Sequence, residues 1–329
     1  MGAREEARVP GRAAVAHAHG RDEEQAVLPA GRALARGLAG LCAALLTGPV
    51  LTACTAEEGG SQPASEEPAT AETTAPGPSP AADQALSEPP ESIDIAWSEL
   101  PGSTVDVGIG GVGEDQSLWA VGGGSVPGGY EISYWNGTDW ETVEGGAVAI
   151  DVAPTGHPWV VDAENRILEW DGAGWIERPG TAHDIGIGAD GSVWIVGTEP
   201  APGGYHIYRW TEAMWEEAPG GAVALDVYSR GDPDVRLQPE PWIVDADGYI
   251  ARWTGSEWSR QPGTARDVGV GANGTVWIIG TDAVSGGYAV ATWNGEGWAS
   301  APGGGLRVSV DADGFPYVVT DQNKLLRGT

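Results

Sequence analysis

From residue 93 onward the chain alternates short apolar runs with glycine-rich breaks, and no stretch carries apolar residues at helical spacing over three turns. The runs ARDVGVG, TVWIIGT, YAVATWN and GWASAPG, within residues 265–303, show the pattern. The breaks between them contain Asn273-Gly274, Ser285-Gly286-Gly287 and the turn at Asn294. Glycine-rich breaks between β-branched and aromatic runs indicate β-hairpins. This stretch is therefore predicted to form four short antiparallel strands.

Tryptophan repeats this pattern along the chain. One Trp opens each of six units, usually as W-x-x-x-P-G, at spacings of 35 to 43 residues: Trp97, Trp140, Trp175, Trp215, Trp258 and Trp298. A second set lies in apolar runs that we expect in the core: Trp119, Trp159, Trp194, Trp242 and Trp277, with Tyr317 in the sixth unit. A third set precedes a short turn: Trp135, Trp170, Trp210, Trp253 and Trp293. Four strands per repeat of about 40 residues match the β-propeller pattern.

The two ends of the repeat region complement each other. The sixth unit supplies only three strands, whereas IAWSELPG around Trp97 is an extra strand of the fourth type. We therefore predict an all-β fold, a six-bladed β-propeller of four-stranded blades over residues 93–329. The N-terminal strand around Trp97 would complete the last blade and leave no free sheet edge.

The units also alternate in type. Odd units carry G-[IV]-G in the first strand and G-G-Y before the third, whereas even units carry G-G-A-V-A-[IL]-D-V. A two-unit module is thus repeated three times. The fourth unit has an insertion between Ser229 and Glu240, to which no role is assigned.

The repeat resembles the tectonin family, which includes the tachylectin-type and fish-egg lectins. The residues that carry the resemblance are W-x-x-x-P-G, D-[IV]-G-[IV]-G-A-[DN]-G-[ST]-V-W, G-G-Y and a closing Trp. The resemblance covers all six units and is stronger in the odd ones. It implies a six-bladed propeller that binds glycans or lipopolysaccharide, although one fold hosts many functions.

Residues 1–53 are predicted to be a bacterial lipoprotein signal. Arg32 and Arg36 precede an apolar run over residues 37–50, and LTAC at Leu51–Cys54 resembles a lipobox with Cys54 as the lipidation site. A transmembrane helix is the alternative, but the run is at the lower limit of length for spanning a bilayer. Since the signal is long, the true start is expected near Val27.

Residues 54–92 are expected to be the lipidated Cys and a disordered linker, because the segment is rich in Ala, Pro and acidic residues and has no base or aromatic. The predicted location is extracytoplasmic, anchored to the cell membrane through lipidated Cys54. The only other cysteine, Cys42, leaves with the signal, so the repeat region has no disulfide and no Cys-based metal site.

The repeat region is strongly acidic. The whole chain has a net charge of −30, and Lys324 is its only lysine. Nucleic acids and anionic lipid surfaces bind basic patches, so both are excluded as partners of the repeat region. A neutral glycan, a cationic group or a cation-bridged ligand fits better, while a solubilising surface is the alternative explanation of the charge.

Three long loops at residues 122–130, 197–205 and 280–288 are predicted to share one face, and each ends in Gly-Gly-Tyr. The candidate ligand-binding residues are the three tyrosines and three aspartates near the same face: Tyr130, Tyr205, Tyr288, Asp106, Asp184 and Asp267. An exposed Tyr ring stacks on a sugar, and carboxylates accept hydrogen bonds from its hydroxyls. Alternatively, the tyrosines pack between blades and the aspartates cap the turn after Pro-Gly.

Catalysis is not predicted. Only His157, His183 and His206 follow the signal, and no nucleophile or metal-ligand motif accompanies them, although a lyase using His183 and His206 is conceivable. No cofactor is expected. Asp311-Ala-Asp313-Gly314 hints at calcium but lacks the remaining ligands of a calcium loop, so a turn is favoured.

The chain is interpreted as a monomeric cell-surface lipoprotein that binds a glycan or envelope polymer. The alternative is an envelope protein-interaction scaffold.

Overall fold

The computed structural model describes residues 91–111, 116–211, 213–229 and 239–329, which all belong to one compact unit, Pro76–Thr329. The predicted signal, Cys54 and nearly all of the linker lie outside these residues. The described residues are all-β and contain no helix, so none of them forms a helix that could span a membrane. Their strands are β1 (Trp97–Leu100), β2 (Thr104–Gly110), β3 (Ser117–Val126), β4 (Gly129–Trp135), β5 (Trp140–Ala147), β6 (Ala149–Val152), β7 (Pro158–Val161), β8 (Arg166–Trp170), β9 (Trp175–Ile187), β10 (Val193–Ala201), β11 (Gly204–Trp210), β12 (Trp215–Ala222), β13 (Ala224–Tyr228), β14 (Glu240–Val244), β15 (Tyr249–Trp253), β16 (Trp258–Val270), β17 (Val276–Val284), β18 (Gly287–Trp293), β19 (Trp298–Gly305), β20 (Arg307–Val310), β21 (Pro316–Val319) and β22 (Leu325–Gly328).

Antiparallel pairing arranges these strands in groups of four. Strands β9 and β16 are long and serve two groups each: residues 175–181 of β9 pair with β8, and residues 182–187 pair with β10. We number the groups in chain order: group 1 is β2–β5, group 2 is β6–β9, group 3 is β9–β12, group 4 is β13–β16, group 5 is β16–β19 and group 6 is β20–β22 with β1. In group 6, Trp97 pairs with Gly328 and Leu100 with Leu325. The extra N-terminal strand therefore pairs with the last strand, as the sequence predicts.

The second Trp set lies in the core, which confirms that prediction. These residues stand in the second strands of groups 1 to 5, where strands such as β7 (PWVV) are buried throughout, and each is at most 7% exposed: Trp119, Trp159, Trp194, Trp242 and Trp277. The third set packs edge-on or tilted against the next opening Trp across the short turn. An example is Trp170 with Trp175, whose ring centroids are 5.1 Å apart. Such aromatic pairs hold the two outer strands of a group together.

The opening tryptophans explain the W-x-x-x-P motif. Each opening Trp lies in the fourth strand of its group. Its indole Nε1 donates to a main-chain carbonyl of the preceding group. That carbonyl stands four residues after the opening Trp of the preceding group and usually belongs to the Pro of the motif. For example, Trp215 Nε1 lies 2.6 Å from the Pro179 oxygen. The contact occurs at every boundary between groups, including group 6 to group 1: Trp97–Pro302, Trp140–Pro101, Trp175–Glu144, Trp215–Pro179, Trp258–Pro219 and Trp298–Pro262. The motif is thus a connection between groups.

Gly-Gly-Tyr also connects groups. The carbonyl of Gly203 accepts a hydrogen bond from the N–H of Ala246 in group 4, at 2.8 Å, and Gly128 and Gly286 make the same contact with their following groups. The second glycine is conformationally required. Gly204 has φ +136°, and a Cβ there would lie 2.4 Å from the carbonyl oxygen of Ala222. Only glycine adopts this backbone without strain.

Substitution of this glycine is expected to destabilise the fold. We expect Gly204→Ala to lower the free energy of unfolding by about 3 kcal/mol, because strain at positive φ adds to a backbone clash. The matched control is Gly137→Ala, at φ +97° in a turn where nothing lies within 4 Å of the added Cβ. There the loss is expected to be only about 1 kcal/mol. Urea unfolding of both variants measures this difference, and equal losses would contradict it.

Candidate functional site

The first strands of all six groups line a narrow cavity of about 30 Å³. We call it the carboxylate cavity. It has room for a few water molecules and none for a sugar ring. Its charged lining residues are one from each group: Asp106, Asp151, Asp184, Asp226, Asp267 and Arg307.

Each of these carboxylates bonds the first strand of the following group. Asp184 Oδ2 accepts the N–H of Leu225 at 2.9 Å, and Asp267 Oδ2 accepts that of Val308 at 2.8 Å. The same contact links Asp106 to Ile150, Asp151 to Ile187 and Asp226 to Val270. The first strands approach closely because of the G-[IV]-G motif. A Cβ at Gly186 would lie 2.9 Å from the Asp226 Cα.

The three predicted aspartates therefore lie in neither of the two surroundings that the sequence suggested, the loop face and the turn after Pro-Gly. Asp106, Asp184 and Asp267 face inward, so they are not presented as sugar ligands on an open loop face. They do not cap the turn after Pro-Gly either, because the N–H groups that they bond belong to the next group. The sequence could not show which side of a first strand meets its neighbour.

Enclosure in protein dominates the electrostatics of the cavity. Burial, as the largest cause, raises the pKa of Asp106 to about 6, of Asp226 to about 7 and of Asp184 to about 8. It also raises the pKa of Asp151 and Asp267, and the nearby Asp226 raises that of Asp151 further. These side chains keep some accessible surface because they face the cavity, although protein surrounds them.

Arg307 is a residue that sequence reasoning missed. It occupies the position of the odd-unit aspartates, and its Nη1 lies 3.4 Å from Asp267 Oδ1. Its charge lowers the pKa of Asp106, Asp184 and Asp267 against the effect of burial. A signal was present, since LRVSV replaces V-A-[IL]-D-V in the sixth unit and puts Arg307 where the other even units have Ala149 and Ala224. Within the described residues no group of His, Cys, Asp or Glu is arranged to hold a metal ion.

The three predicted tyrosines are not equivalent. Tyr130 is exposed, whereas Tyr205 and Tyr288 are half-buried. The His183 ring packs edge-on against Tyr205 with centroids 4.4 Å apart, and the Arg266 guanidinium lies 3.8 Å from the centre of the Tyr288 ring. The structure brings these two tyrosines against the residue that precedes each aspartate, and not against the carboxylate.

The two histidines of the lyase alternative do not meet. Tyr205 and His206 are successive residues of β11, so their side chains point to opposite faces of the strand. His183 contacts Tyr205, whereas His206 Nδ1 lies 2.8 Å from Glu217 Oε1. The Asp311–Gly314 segment, which resembles part of a calcium loop, is a capped turn. Asp311 Oδ1 accepts the N–H groups of Asp313 and Phe315.

Two clefts that sequence reasoning missed lie where an odd group meets the preceding even group. Cleft A, of about 210 Å³, is lined by Thr181, Thr198, Glu199, Tyr208 and Trp215 among others. Cleft B, of about 150 Å³, lies at the corresponding place in group 1 and includes Glu131, Ser133, Trp140 and Thr142. Each cleft thus contains the Trp at the start of the fourth strand of its group, hydroxyl groups and a carboxylate.

The polar groups of cleft A are held in place. The Thr181 and Thr198 hydroxyls are 2.6 Å apart, and the Trp215 ring is fixed by its bond to the Pro179 carbonyl. Burial, and then the charges of Glu199 and Glu217, raise the pKa of Tyr208, so its hydroxyl stays protonated at neutral pH. An aromatic face beside hydroxyl donors and a carboxylate acceptor suits an uncharged polyhydroxylated ligand.

Cleft B uses different residues for the same arrangement. The Ser133 and Thr142 hydroxyls are 3.1 Å apart, and Glu131 Oε2 accepts the N–H of Gly124 at 3.2 Å. Group 5 keeps the hydroxyl pair, Thr264 with Thr281 at 2.8 Å, but has Ala291 where group 3 has Tyr208. The sequence does contain a Thr at each end of the segments 181–198 and 264–281. These residues are recognisable as a pair only once the two ends of each segment are known to meet.

Comparison with known proteins finds a family match for part of the chain. The Tectonin domain model matches residues 121–202. Among solved structures, YCF48 bound to D1 peptide is 14% identical, with 73% of this chain and 99% of that chain covered and a TM-score of 0.46. An Aleuria aurantia lectin variant in complex with alpha-methyl-L-fucoside is 12% identical, with coverages of 68% and 92% and a TM-score of 0.45.

A calcium-binding protein, regucalcin from Agrobacterium tumefaciens, is 11% identical, with coverages of 69% and 90% and a TM-score of 0.48. No curated protein matches the chain. The family match spans the second strand of group 1 to the long loop of group 3 and so includes the lining of cleft A from Thr181 to Glu199. Residues 121–202 thus match the Tectonin domain model, the family that the tryptophan-centred repeat resembles.

Proposed function

We propose that the six groups are the blades of one closed propeller and that the chain is a non-catalytic, extracytoplasmic lipoprotein that binds a glycan or envelope polymer. Closure is supported by the pairing of β1 with β22 and by the Trp-to-carbonyl bond at every boundary. The lipid anchor at Cys54 is supported by the lipobox and the preceding apolar run. The ligand class is supported by a Tectonin domain that carries part of cleft A.

Clefts A and B are the observation that carries the glycan proposal. They recur at corresponding places in groups 3 and 1, and both combine a fixed indole ring, a hydroxyl pair and a carboxylate. Two clefts on one rigid fold would bind a repetitive polymer more tightly than either alone. The exposed ring of Tyr130 offers a further stacking surface at the loop face.

The charge of the chain favours an uncharged polymer for these clefts. Glu199 and Glu131 line them, and no Lys or Arg among the described residues does. An anionic chain such as a phosphate-rich polysaccharide would be repelled. Carboxylates accept hydrogen bonds from sugar hydroxyls without that cost, so neutral sugars are the expected ligands.

Protein binding is the second candidate function. The loops that join second to third strands and fourth to first strands expose several large apolar side chains: Tyr130, Val223, Val284 and Leu306. Apolar side chains exposed on one face are common at protein interfaces. This observation favours a protein partner at the loop face.

A glycan array probed with residues 55–329, with and without calcium, tests the glycan proposal. For any glycan bound, we expect Thr198→Val and Tyr208→Phe each to weaken binding about tenfold, because each removes one hydrogen-bonding hydroxyl from cleft A and preserves its shape. Tyr134→Phe is the matched control, since that hydroxyl bonds Glu141 outside both clefts. If no glycan binds, including the wall polymers of the source cell, the glycan proposal is contradicted and a protein partner is favoured.

A further inference from the structure

Large, mostly aromatic side chains pack at two of the boundaries between an even group and the following odd group. Between groups 2 and 3, the Arg178 guanidinium lies 5.6 Å from the Trp159 ring and 5.9 Å from the Trp210 ring, and it pairs with Glu169. Between groups 4 and 5, the corresponding rings of Trp242 and Trp293 contact each other, with centroids 6.2 Å apart. Large side chains therefore fill both boundaries.

The boundary between groups 6 and 1 has smaller residues at these positions. Tyr317 stands where the other boundaries have Trp159 and Trp242, and Leu100 stands where the first has Arg178. A cavity of about 410 Å³ results, lined by both residues and by Trp135, the counterpart of Trp210. We call it the closure pocket. Its volume lies within the range of small-molecule sites, about 300–1,000 Å³.

The closure pocket has an apolar wall and a charged rim. Trp135, Tyr317, Leu118, Ile109 and Leu100 form the apolar part. Rings and branched side chains of this kind bury the flat face of a cyclic ligand well. Clefts A and B instead combine an indole ring with hydroxyl groups and a carboxylate.

Arg327 is the basic residue of the rim, which also holds Glu99 and Asp311. Glu99 is paired with Lys324 at 2.9 Å, whereas Asp311 caps its own turn and the charge of Arg327 lowers its pKa against the effect of burial. The Arg327 guanidinium lies 5.7 Å from the centre of the Tyr317 ring and has no ion pair among the residues that the structure describes. A guanidinium presents a planar fork of donors that matches a carboxylate.

We propose that the closure pocket binds a ring compound that carries one carboxylate, with its ring against Trp135 and Tyr317 and its carboxylate on Arg327. A uronic acid and an aromatic acid share this chemistry. The site is separate from clefts A and B, so it does not depend on the glycan proposal.

Calorimetric titration of the full chain with D-glucuronate and with phenylacetate tests the proposal. The uncharged amides of both acids are the matched probes. We expect at least one acid to bind, and its amide to bind about tenfold more weakly because the charge-assisted hydrogen bond is lost. The acid that binds identifies the source of the ligand. Failure of both acids to bind at about 10 mM, a high concentration even for ligands this small, overturns the proposal.

Variants locate the binding. Arg327→Gln is expected to weaken binding of the acid about tenfold. Arg252→Gln, which changes the corresponding residue in group 4, is expected to leave binding unchanged. Tyr317→Trp installs the residue found at the filled boundaries, so it should abolish binding without lowering the midpoint of thermal unfolding. If that variant unfolds early, Arg327→Gln decides. Binding unaffected by Arg327→Gln overturns the proposal.

Discussion

A chain that begins at Pro101 is expected to unfold far below the temperature of one that begins at Glu91, and to aggregate. The shorter chain lacks β1, which pairs with β22 over four residue positions. It also loses the bond from Trp97 Nε1 to the Pro302 carbonyl, 2.8 Å long. Trp97 packs against the core of groups 5 and 6, so its loss also exposes apolar surface.

The expected loss is about 5 kcal/mol or more, since several buried contacts disappear together. In addition, β22 becomes a free edge that templates pairing with other chains. Differential scanning calorimetry and light scattering of the two chains measure both effects. A synthetic peptide of residues 91–100, added in excess, should restore part of the midpoint because it binds only the folded form. Equal midpoints for the two chains would contradict the closed ring.

Local pattern was enough to predict the strands. Alternating β-branched residues and glycine-rich turns act over a few neighbours, and they located the four strands of each group. The buried position of the second Trp set followed from its apolar neighbours, such as those of Trp159 in PWVV. The pairing of β1 with β22 was predictable because an unpaired strand at each end is complementary.

Contacts between groups were not predictable in the same way. Trp175 Nε1 bonds a carbonyl 31 residues away, and Trp97 bonds one 205 residues away. Period-two alternation shows which residues share a side of a strand, but not which neighbour that side meets. The aspartates were therefore assigned to the wrong surroundings, and clefts A and B were missed because their walls come from separate units.

The sixth unit illustrates a different limit. It departs from the other even units at three positions, where Arg307 replaces Ala, Ser309 replaces Asp and Tyr317 replaces Trp, and the sequence alone shows these changes only as divergence. In the structure all three lie in group 6, the group in which the two ends of the repeat region pair. Arg307 enters the carboxylate cavity, while Tyr317 opens the closure pocket. Positions that break a repeat are informative once the packing shows what each one replaces.

The carboxylate cavity predicts that stability falls as pH rises from about 4 to about 8. In the unfolded chain these aspartates return to their ordinary pKa of 3.8, whereas the folded state raises Asp106 to about 6 and Asp184 to about 8. Between these values the folded state binds more protons than the unfolded state. The stabilisation is thus complete below the ordinary pKa and is lost as pH rises through the folded values.

Asp184→Asn isolates one carboxyl of the cavity. The amide oxygen still accepts the N–H of Leu225, but the group no longer titrates. We expect urea unfolding at several pH values to show a shallower decline between pH 5 and 7, by up to about 1.4 kcal/mol per pH unit. Asp139→Asn, in an exposed turn, removes the same charge and so corrects for general repulsion in a chain of net charge −30. Equal slopes for the two variants would show that the proton on Asp184 is not linked to folding.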